Sequence, residues 1–274
     1  MCCISKHSRR FAGLGTPKRI WAIPAVHGHL DSLTDLHDRL LPHIEPGDRL
    51  IYLGNYTGYG EHAADCIEEL LTFRRMVLSL PGMLASDLIY LRGAQEEMWQ
   101  RLLQLQFTPN PLDALLWMLG NGLSATLYSY GHPPHDGIES GRAGVMGVTK
   151  WTNTIRAAMR ARAGHETLFT HMRRAAYTSP EHAAFPMLFV PAGLDAQRPL
   201  PEQGDDLWWN GEAFNSIDAA YAPFQKVIRG YDPAHRGVHM NCVTATIDAG
   251  CGFGGPLLCT GFNPDGSVAA ILEA

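Results

Sequence analysis

The sequence has 274 residues, of which 46% are hydrophobic and 18% are charged, and its formal net charge is −5. This length and composition can bury one large core, so we expect a lead-in over 1–18 and one α/β domain over 19–274. The negative charge gives no reason to expect nucleic acid or an anionic membrane as a partner, and no apolar run is long enough to cross a bilayer.

The cysteines are spread along the chain without a C-x-x-C pair, which is typical of a reduced, cytoplasmic protein. The basic N-terminus is not followed by an apolar core, so we expect no secretory signal. Adjacent Cys2 and Cys3 could be acylated, but incidental thiols in a frayed tail are the favoured interpretation.

The first elements predict a β-α-β unit. Short apolar runs at 20–23 and 50–53 each stop at a turn that contains glycine. Between them, leucines at 33, 36, 40 and 41 repeat at helical spacing. In such units the chemistry sits where strands end and loops begin.

The same patterns predict the later elements. Helices are expected over 63–75, 95–105, 112–119, 151–163 and 166–176. Strands are expected over 86–91, 186–190, 226–229, 243–247, 256–260 and 267–271, the last three as a closing antiparallel meander. The segment 131–150 is rich in glycine and proline, which predicts a flexible surface loop or mobile cap.

Turns that contain glycine follow several of the predicted strands. They are P-A-V-H-G (24–28), G-N-Y-T-G-Y-G (54–60), G-A-Q-E (93–96), P-A-G (191–193) and R-G-Y (229–231). Glycine lets a backbone turn sharply and lets loops approach closely. These turns are therefore the candidate site, although the first two, 24–28 and 54–60, lack the carboxylates that a hydrolytic site would use.

In order, spacing and flanks, these turns resemble the motifs of the calcineurin-like metallophosphoesterases, in the branch of protein serine/threonine phosphatases and their bacterial relatives. That family has G-D-x-H-G, G-D-x-x-D-R-G, G-N-H-E, H-A-G and H-G-H at the corresponding places. The resemblance extends over nearly the whole chain. It implies an α/β sandwich of two central mixed sheets flanked by helices and, in active members, two divalent metals such as Mn or Fe/Zn.

The resemblance also implies which residues stand where the family has its metal ligands. These positions hold Ala25, His27, Asn55, Ala94, Pro191 and Tyr231. In addition, Gln95 replaces the general-acid histidine, Gly58 the aspartate that orients it, and Tyr59 the phosphate-binding arginine. A single imidazole cannot hold a divalent ion against water, and two-metal hydrolysis needs a bridging carboxylate. We therefore expect no catalytic residue, no bound metal and no other cofactor.

Several residues at or near the degenerate site have alternative interpretations. His27 could be a remaining metal ligand, but a hydrogen-bonded turn histidine is favoured. Arg229 could bind an anion where the metals once sat, together with His27, or it could pair with Asp232 or Asp248. Glu96 and Glu97 could act as acids or bases, but their place at a helix start favours compensation of the helix dipole.

These observations predict a pseudophosphatase that acts by binding, rather than an enzyme. One alternative is an active phosphoric monoester hydrolase with unconventional ligands, recruited from 131–150. Another is a structural subunit without a ligand pocket. The expected partner is a protein, such as a phosphoprotein or a regulator of an active phosphatase. The expected binding surfaces are the loops at 56–61, 131–150 and 208–214.

Overall fold

A computed structural model describes residues 10–274 of the chain. The strands are β1 (Phe11–Gly15), β2 (Ile20–Ile23), β3 (Arg49–Tyr52), β4 (Leu88–Tyr90), β5 (Ala175–Thr178), β6 (Met187–Val190), β7 (Lys226–Arg229), β8 (His239–Met240), β9 (Thr244–Thr246), β10 (Leu258–Phe262) and β11 (Val268–Glu273). The helices are α1 (Leu30–Leu40), α2 (Ala63–Ser79), α3 (Ala94–Leu102), α4 (Pro111–Met118), α5 (Ser124–Ser129), α6 (Pro134–Arg142), α7 (Val145–Ala161), α8 (His165–His171), α9 (Asp206–Trp209) and α10 (Gly211–Asn215). The predictions for Cys2 and Cys3 lie outside the described residues.

The strands form two sheets. One has six strands in the order β1-β5-β6-β7-β9-β8, and the other has five in the order β11-β10-β2-β3-β4. Both are mixed: β5–β6 and β8–β9 are antiparallel in the first, β11–β10 and β10–β2 in the second, and the remaining pairs are parallel. The prediction of two mixed sheets is confirmed.

Strand β2 shows why the sheets pack as a sandwich. Its four residues are all apolar and buried. Because successive side chains point to opposite faces, Ile20 and Ala22 join the core between the sheets, while Trp21 and Ile23 join the core beneath the helices. A strand that is apolar on both faces must be covered on both, which places it centrally.

In residues 10–274, no helix is both long and apolar enough to cross a membrane.

The prediction of a flexible loop over 131–150 is wrong. Helix α6 and the start of α7 occupy this segment. Pro134 stands at the first position of α6, where a missing N–H costs nothing. A Cβ on Gly137 would lie 2.5 Å from the indole of Trp151, so glycine here permits close helix packing. The composition of 131–150 indicated flexibility because it does not reveal that Gly137 packs against Trp151.

Three further predictions of elements need correction. The lead-in over 1–18 contains β1, which pairs in parallel with β5. The helix predicted over 166–176 ends at His171, because Arg173 is drawn into a bridge with Leu91 and the chain continues as β5. The closing meander is limited to the β10–β11 hairpin, since β9 pairs in parallel with β7 in the other sheet.

Candidate functional site

The glycine-containing turns that the sequence places far apart meet at the ends of the central strands. The N–H of His27 donates to the Asn55 carbonyl at 2.8 Å, and the N–H of Ala25 donates to the Gly230 carbonyl at 3.0 Å. Gly230 in turn donates its N–H to the carbonyl of Pro191 at 3.1 Å. The turns after β2, β3, β6 and β7 are thereby joined at one edge of the sandwich.

Glycine is required where these loops touch. A Cβ on Gly93 would lie 2.2 Å from the backbone nitrogen of Asn55, and one on Gly60 would lie 2.6 Å from the carbonyl oxygen of His27. Both distances are far below van der Waals contact. These glycines are therefore explained by backbone packing alone, whatever chemistry the site has.

A buried carboxylate holds two of the loops together. Glu96, which is fully buried, accepts hydrogen bonds from the backbone N–H groups of Asn55 (2.8 Å), Tyr56 (2.8 Å), Thr57 (3.2 Å) and Gly93 (2.9 Å). Burial raises the pKa of Glu96, and the backbone donors oppose that rise. Glu96 caps α3, as its position at a helix start indicated, but its role as a clamp on the 54–60 turn was not predicted.

The residues at the expected ligand positions are engaged within the protein. Asn55 is 1% exposed, and its side-chain oxygen accepts from the Gln95 N–H at 3.0 Å. The Gln95 side chain donates to the Asn121 carbonyl at 2.8 Å. Ala25 and Ala94 are buried and offer no polar side-chain atom. The one imidazole in this set is that of His27.

Aromatic rings surround His27. The ring centroids of Tyr59, Tyr231 and Phe253 lie 5.5, 5.0 and 5.2 Å from that of His27, all edge-to-face. Phe253 also contacts Tyr59 at 4.9 Å and His235 at 4.0 Å. We call these five residues the aromatic cluster. Within the cluster His27 is buried, while Tyr59 and Phe253 are 39% and 41% exposed.

His27 is neutral in this environment. Burial, followed by the nearby His235 and His29, lowers its pKa to about 3. The backbone of Thr57 opposes this shift. The His27 N–H donates to the Asn55 carbonyl at 2.8 Å, and the His27 carbonyl accepts from the Gly60 N–H at 2.6 Å, so His27 is a hydrogen-bonded turn residue through its main chain. Its φ of 54° is left-handed, a conformation that histidine adopts more readily than most residues.

The residues present do not fit a two-metal centre. Such a centre needs a bridging carboxylate and several further ligands, whereas Asn55 and Tyr231 stand at two of the expected positions. The buried carboxylate of Asp248 accepts from the N–H groups of Asp232 (3.0 Å) and Gly250 (2.9 Å), so it supports the turn after β9. Within 10–274, no group of three or more His, Cys, Asp or Glu side chains is arranged to hold a metal ion.

Arg229 forms an ion pair with Asp232, which is one of the two interpretations given for it. Its guanidinium lies 3.1 Å from the Asp232 carboxylate, and both side chains are 2% exposed. It also donates to Thr246 at 2.9 Å and to Asn215 at 2.9 Å, and it stacks over Phe214. These partners lie on α10, on β9 and in the turn after β7, and none belongs to the aromatic cluster. The guanidinium is therefore engaged within the protein, and the anion-site interpretation stays a prediction.

The comparisons with known proteins concern the fold. No protein-family model and no curated protein sequence matches the chain. Among solved structures, a protein provisionally described as a diadenosine tetraphosphatase matches with a TM-score of 0.57 and 15% identity, over 97% of this chain and 98% of that one. A protein serine/threonine phosphatase from Saccharomyces cerevisiae, described as similar to human PP5, gives 0.53 and 13% identity, over 97% and 82%. A cold-active protein tyrosine phosphatase gives 0.50 and 11% identity, over 97% and 81%.

These likenesses span nearly the whole of this chain and agree with its two mixed sheets and flanking helices. The expected fold is confirmed: the chain has the fold of calcineurin-like metallophosphoesterases. Phe253, in contrast, was not among the predicted site residues. The glycine-rich stretch 247–257 that carries it follows a predicted strand, which is the one signal that could have pointed to it.

Proposed function

We propose that this chain, with the fold of calcineurin-like metallophosphoesterases, is a catalytically inactive serine/threonine-phosphatase-like protein that acts as a binding or regulatory module. The observation that carries the proposal is the aromatic cluster. Where the fold would gather metal ligands, His27 is enclosed by the rings of Tyr59, Tyr231 and Phe253. A neutral imidazole among aromatic rings offers no charge to bind or activate a phosphate ester.

The other groups that hydrolysis needs are replaced as well. Gln95 has no proton to give at neutral pH, and its side-chain amide is bound to Asn121. Tyr59 stands where the phosphate-binding arginine is expected, and burial raises the pKa of its phenol, so it carries no charge to bind phosphate. A carboxylate buried here without a cation would cost several kcal/mol or take up a proton. The set of substitutions is therefore consistent with a site that has lost its metals as a unit.

The partner surface that we propose is centred on Tyr59 and Phe253. Two exposed aromatic rings in contact are typical of protein-binding sites rather than of an ordinary surface. Two of the surfaces predicted from the sequence are less suitable: 131–150 is helical, and Trp208 is buried with its N–H bonded to Arg92. We infer a protein partner that binds through apolar contacts, such as a regulator of an active phosphatase.

A cytoplasmic location is part of the same proposal. Cys66, Cys251 and Cys259 are buried free thiols, and Cys242 is an exposed one. Free thiols of this kind persist in a reducing compartment.

The test is quantitative affinity capture from the native cell with the full chain and two variants. The double variant Tyr59→Ser, Phe253→Ser removes the exposed rings, and Phe107→Ser is the matched control because Phe107 is 80% exposed elsewhere on the surface. We expect partners that bind the wild-type chain and the control but are lost from the double variant. Equal recovery by all three proteins would show that the aromatic cluster is not the binding surface.

A further inference from the structure

Strand β11 leaves one edge of its sheet open. It stands at the end of the order β11-β10-β2-β3-β4 and is the longest strand of the part of the chain that the structure describes. Its residues 268–272 are all apolar, and Val268 and Ile271 are 40% and 51% exposed. Proteins usually protect such an edge with lysine, proline or a bulge. β11 has no lysine or proline, and its bulge at Ala269 leaves 270–273 regular.

The register of the β10–β11 hairpin shows which backbone groups are free to pair. Leu257 and Ala274 exchange N–H···O bonds of 2.9 and 3.0 Å. Because hydrogen-bonded and non-hydrogen-bonded pairs alternate in an antiparallel ladder, Leu272 also directs its backbone groups toward β10. The N–H and C=O groups of Ile271 and Glu273 therefore point away from β10, to the side where no further strand of the described sheet lies.

This edge is complementary to a copy of itself. A two-fold axis through Leu272 pairs two β11 strands antiparallel and places Ile271 opposite Glu273 of the second copy, so their free backbone groups meet. Leu272 then faces its own counterpart. Leu272 and Ala270 already pack against the core beneath the helices, and the second strand would extend that apolar surface. The same register keeps the two Glu273 side chains from facing each other directly.

The charges of α1 are arranged for the same symmetry. α1 packs against β11 and against α2, and its His37 ring faces α2, where it lies 2.6 Å from Glu69. Asp35 and Arg39 are on the other side of the helix and form a half-exposed ion pair at 2.7 Å. Asp35 raises the pKa of Arg39, and the charge of Glu273 on β11 adds to that effect, which places Arg39 beside the open edge.

A two-fold axis perpendicular to the sheet sets α1 antiparallel to its counterpart. Asp35 of one copy then lies toward Arg39 of the other, and the reverse contact follows by symmetry. Opposite charges one helical turn apart are self-complementary in this arrangement. Both the hydrogen-bonding edge and the charged side of α1 thus match a second copy of this chain.

We propose that the β11 edge binds a second copy of this chain through antiparallel pairing of the two β11 strands, which joins two five-stranded sheets into one. Pairing of each edge with its own copy uses up both edges, so the assembly closes as a dimer. The dimer does not depend on the function of the aromatic cluster, and the Tyr59→Ser, Phe253→Ser variant should form it as the wild type does.

Sedimentation velocity of the full chain over a concentration series measures the dimer. We expect a reversible monomer–dimer equilibrium, and hydrogen exchange at the Ile271 amide should slow as the concentration rises. Ile271→Pro removes an N–H that points away from β10, where proline is tolerated in edge strands. It should raise the dissociation constant of the dimer about tenfold or more, since two hydrogen bonds are lost by symmetry. Ile271→Val keeps the N–H and is the matched control.

Charge reversal tests the same contact without altering the strand. Arg39→Asp should weaken the dimer about tenfold, because it brings acidic side chains together at two symmetric places. Asp35→Arg combined with Arg39→Asp restores the complementarity and should recover the wild-type dissociation constant within about threefold. Arg160→Glu, at an exposed ion pair with Glu166, is the control and should leave the dimer unchanged.

Three results would overturn the proposal. They are a wild-type chain that stays monomeric over the whole series, a folded Ile271→Pro variant that dimerises as well as Ile271→Val, and a double charge reversal that is as weak as Arg39→Asp alone. If Ile271→Pro lowers the melting temperature, the charge variants decide the outcome, because they leave every backbone hydrogen bond in place.

Discussion

Lowering the pH should decrease the free energy of unfolding because His27 is buried as a neutral imidazole. The residue is 1% exposed, and its pKa is lowered from 6.5 to about 3, chiefly by burial. Below pH 6.5 the unfolded chain takes up a proton at this imidazole that the folded chain refuses. The unfolded state then binds more protons, so stability rises with pH in this range. The contribution of neutral His27 to the free energy of unfolding is complete above about pH 6.5 and is lost as the pH falls toward 3.

The size of the effect follows from the same two pKa values. At pH 5 the solution is about 1.5 pH units below the unfolded pKa of 6.5. Each such unit corresponds to about 1.4 kcal/mol, so His27 alone should lower the free energy of unfolding by about 2 kcal/mol. This is a large part of the total stability of a typical domain. His37 and His165 also have lowered pKa values, but they titrate equally in variants at position 27 and cancel in the comparison.

Urea unfolding at pH 7.5 and pH 5 measures this contribution. The variant His27→Asn removes the titrating group, and asparagine tolerates the left-handed backbone at this position. We expect the wild-type chain to lose about 2 kcal/mol more than His27→Asn between the two pH values. His135→Asn, at a side chain that is 70% exposed, serves as the control and should behave as wild type. An equal loss in wild type and His27→Asn would refute the reasoning.

Three other substitutions test the site. Glu96→Gln replaces an acceptor of several N–H bonds and should lower the urea unfolding free energy by about 2–3 kcal/mol, whereas Glu97→Gln should cost less. Asn55→Asp restores one carboxylate but no cation, so calorimetry should show no manganese uptake, and micromolar binding would contradict this. Arg229→Met removes a buried partner of Asp232 and should cost about 3 kcal/mol in thermal or urea unfolding, while an unchanged stability would mean that the ion pair contributes nothing.

Much of the fold is visible in the sequence because its central strands are rich in apolar residues and are followed by turns that contain glycine. Strand β7 was predicted with its observed bounds, and β2 likewise. The sequence also identifies the turns around Ala25, Asn55 and Gly230 as a candidate site. Each turn can be identified because the close approach of two backbone segments requires glycine, and glycine is visible in the local sequence.

The remainder depends on contacts between distant segments. Phe253 lies between glycines in a stretch without periodicity, and only the fold brings its ring to His27. The glycines of α6 indicated a loop, since the packing of Gly137 against Trp151 and of Gly141 against Leu112 is a tertiary contact. The aromatic surroundings of His27 could not be predicted for the same reason: the rings that enclose it come from three separate loops.

Hydrolysis of para-nitrophenyl phosphate by tag-free protein in the presence of manganese tests the proposed loss of catalysis most directly. With five of the six metal-ligand positions and the proton-donor and phosphate-binding positions replaced, we expect the rate to equal that of buffer with manganese alone, and EDTA to make no difference. Turnover that requires manganese, stops with EDTA and disappears in His27→Asn would contradict the account.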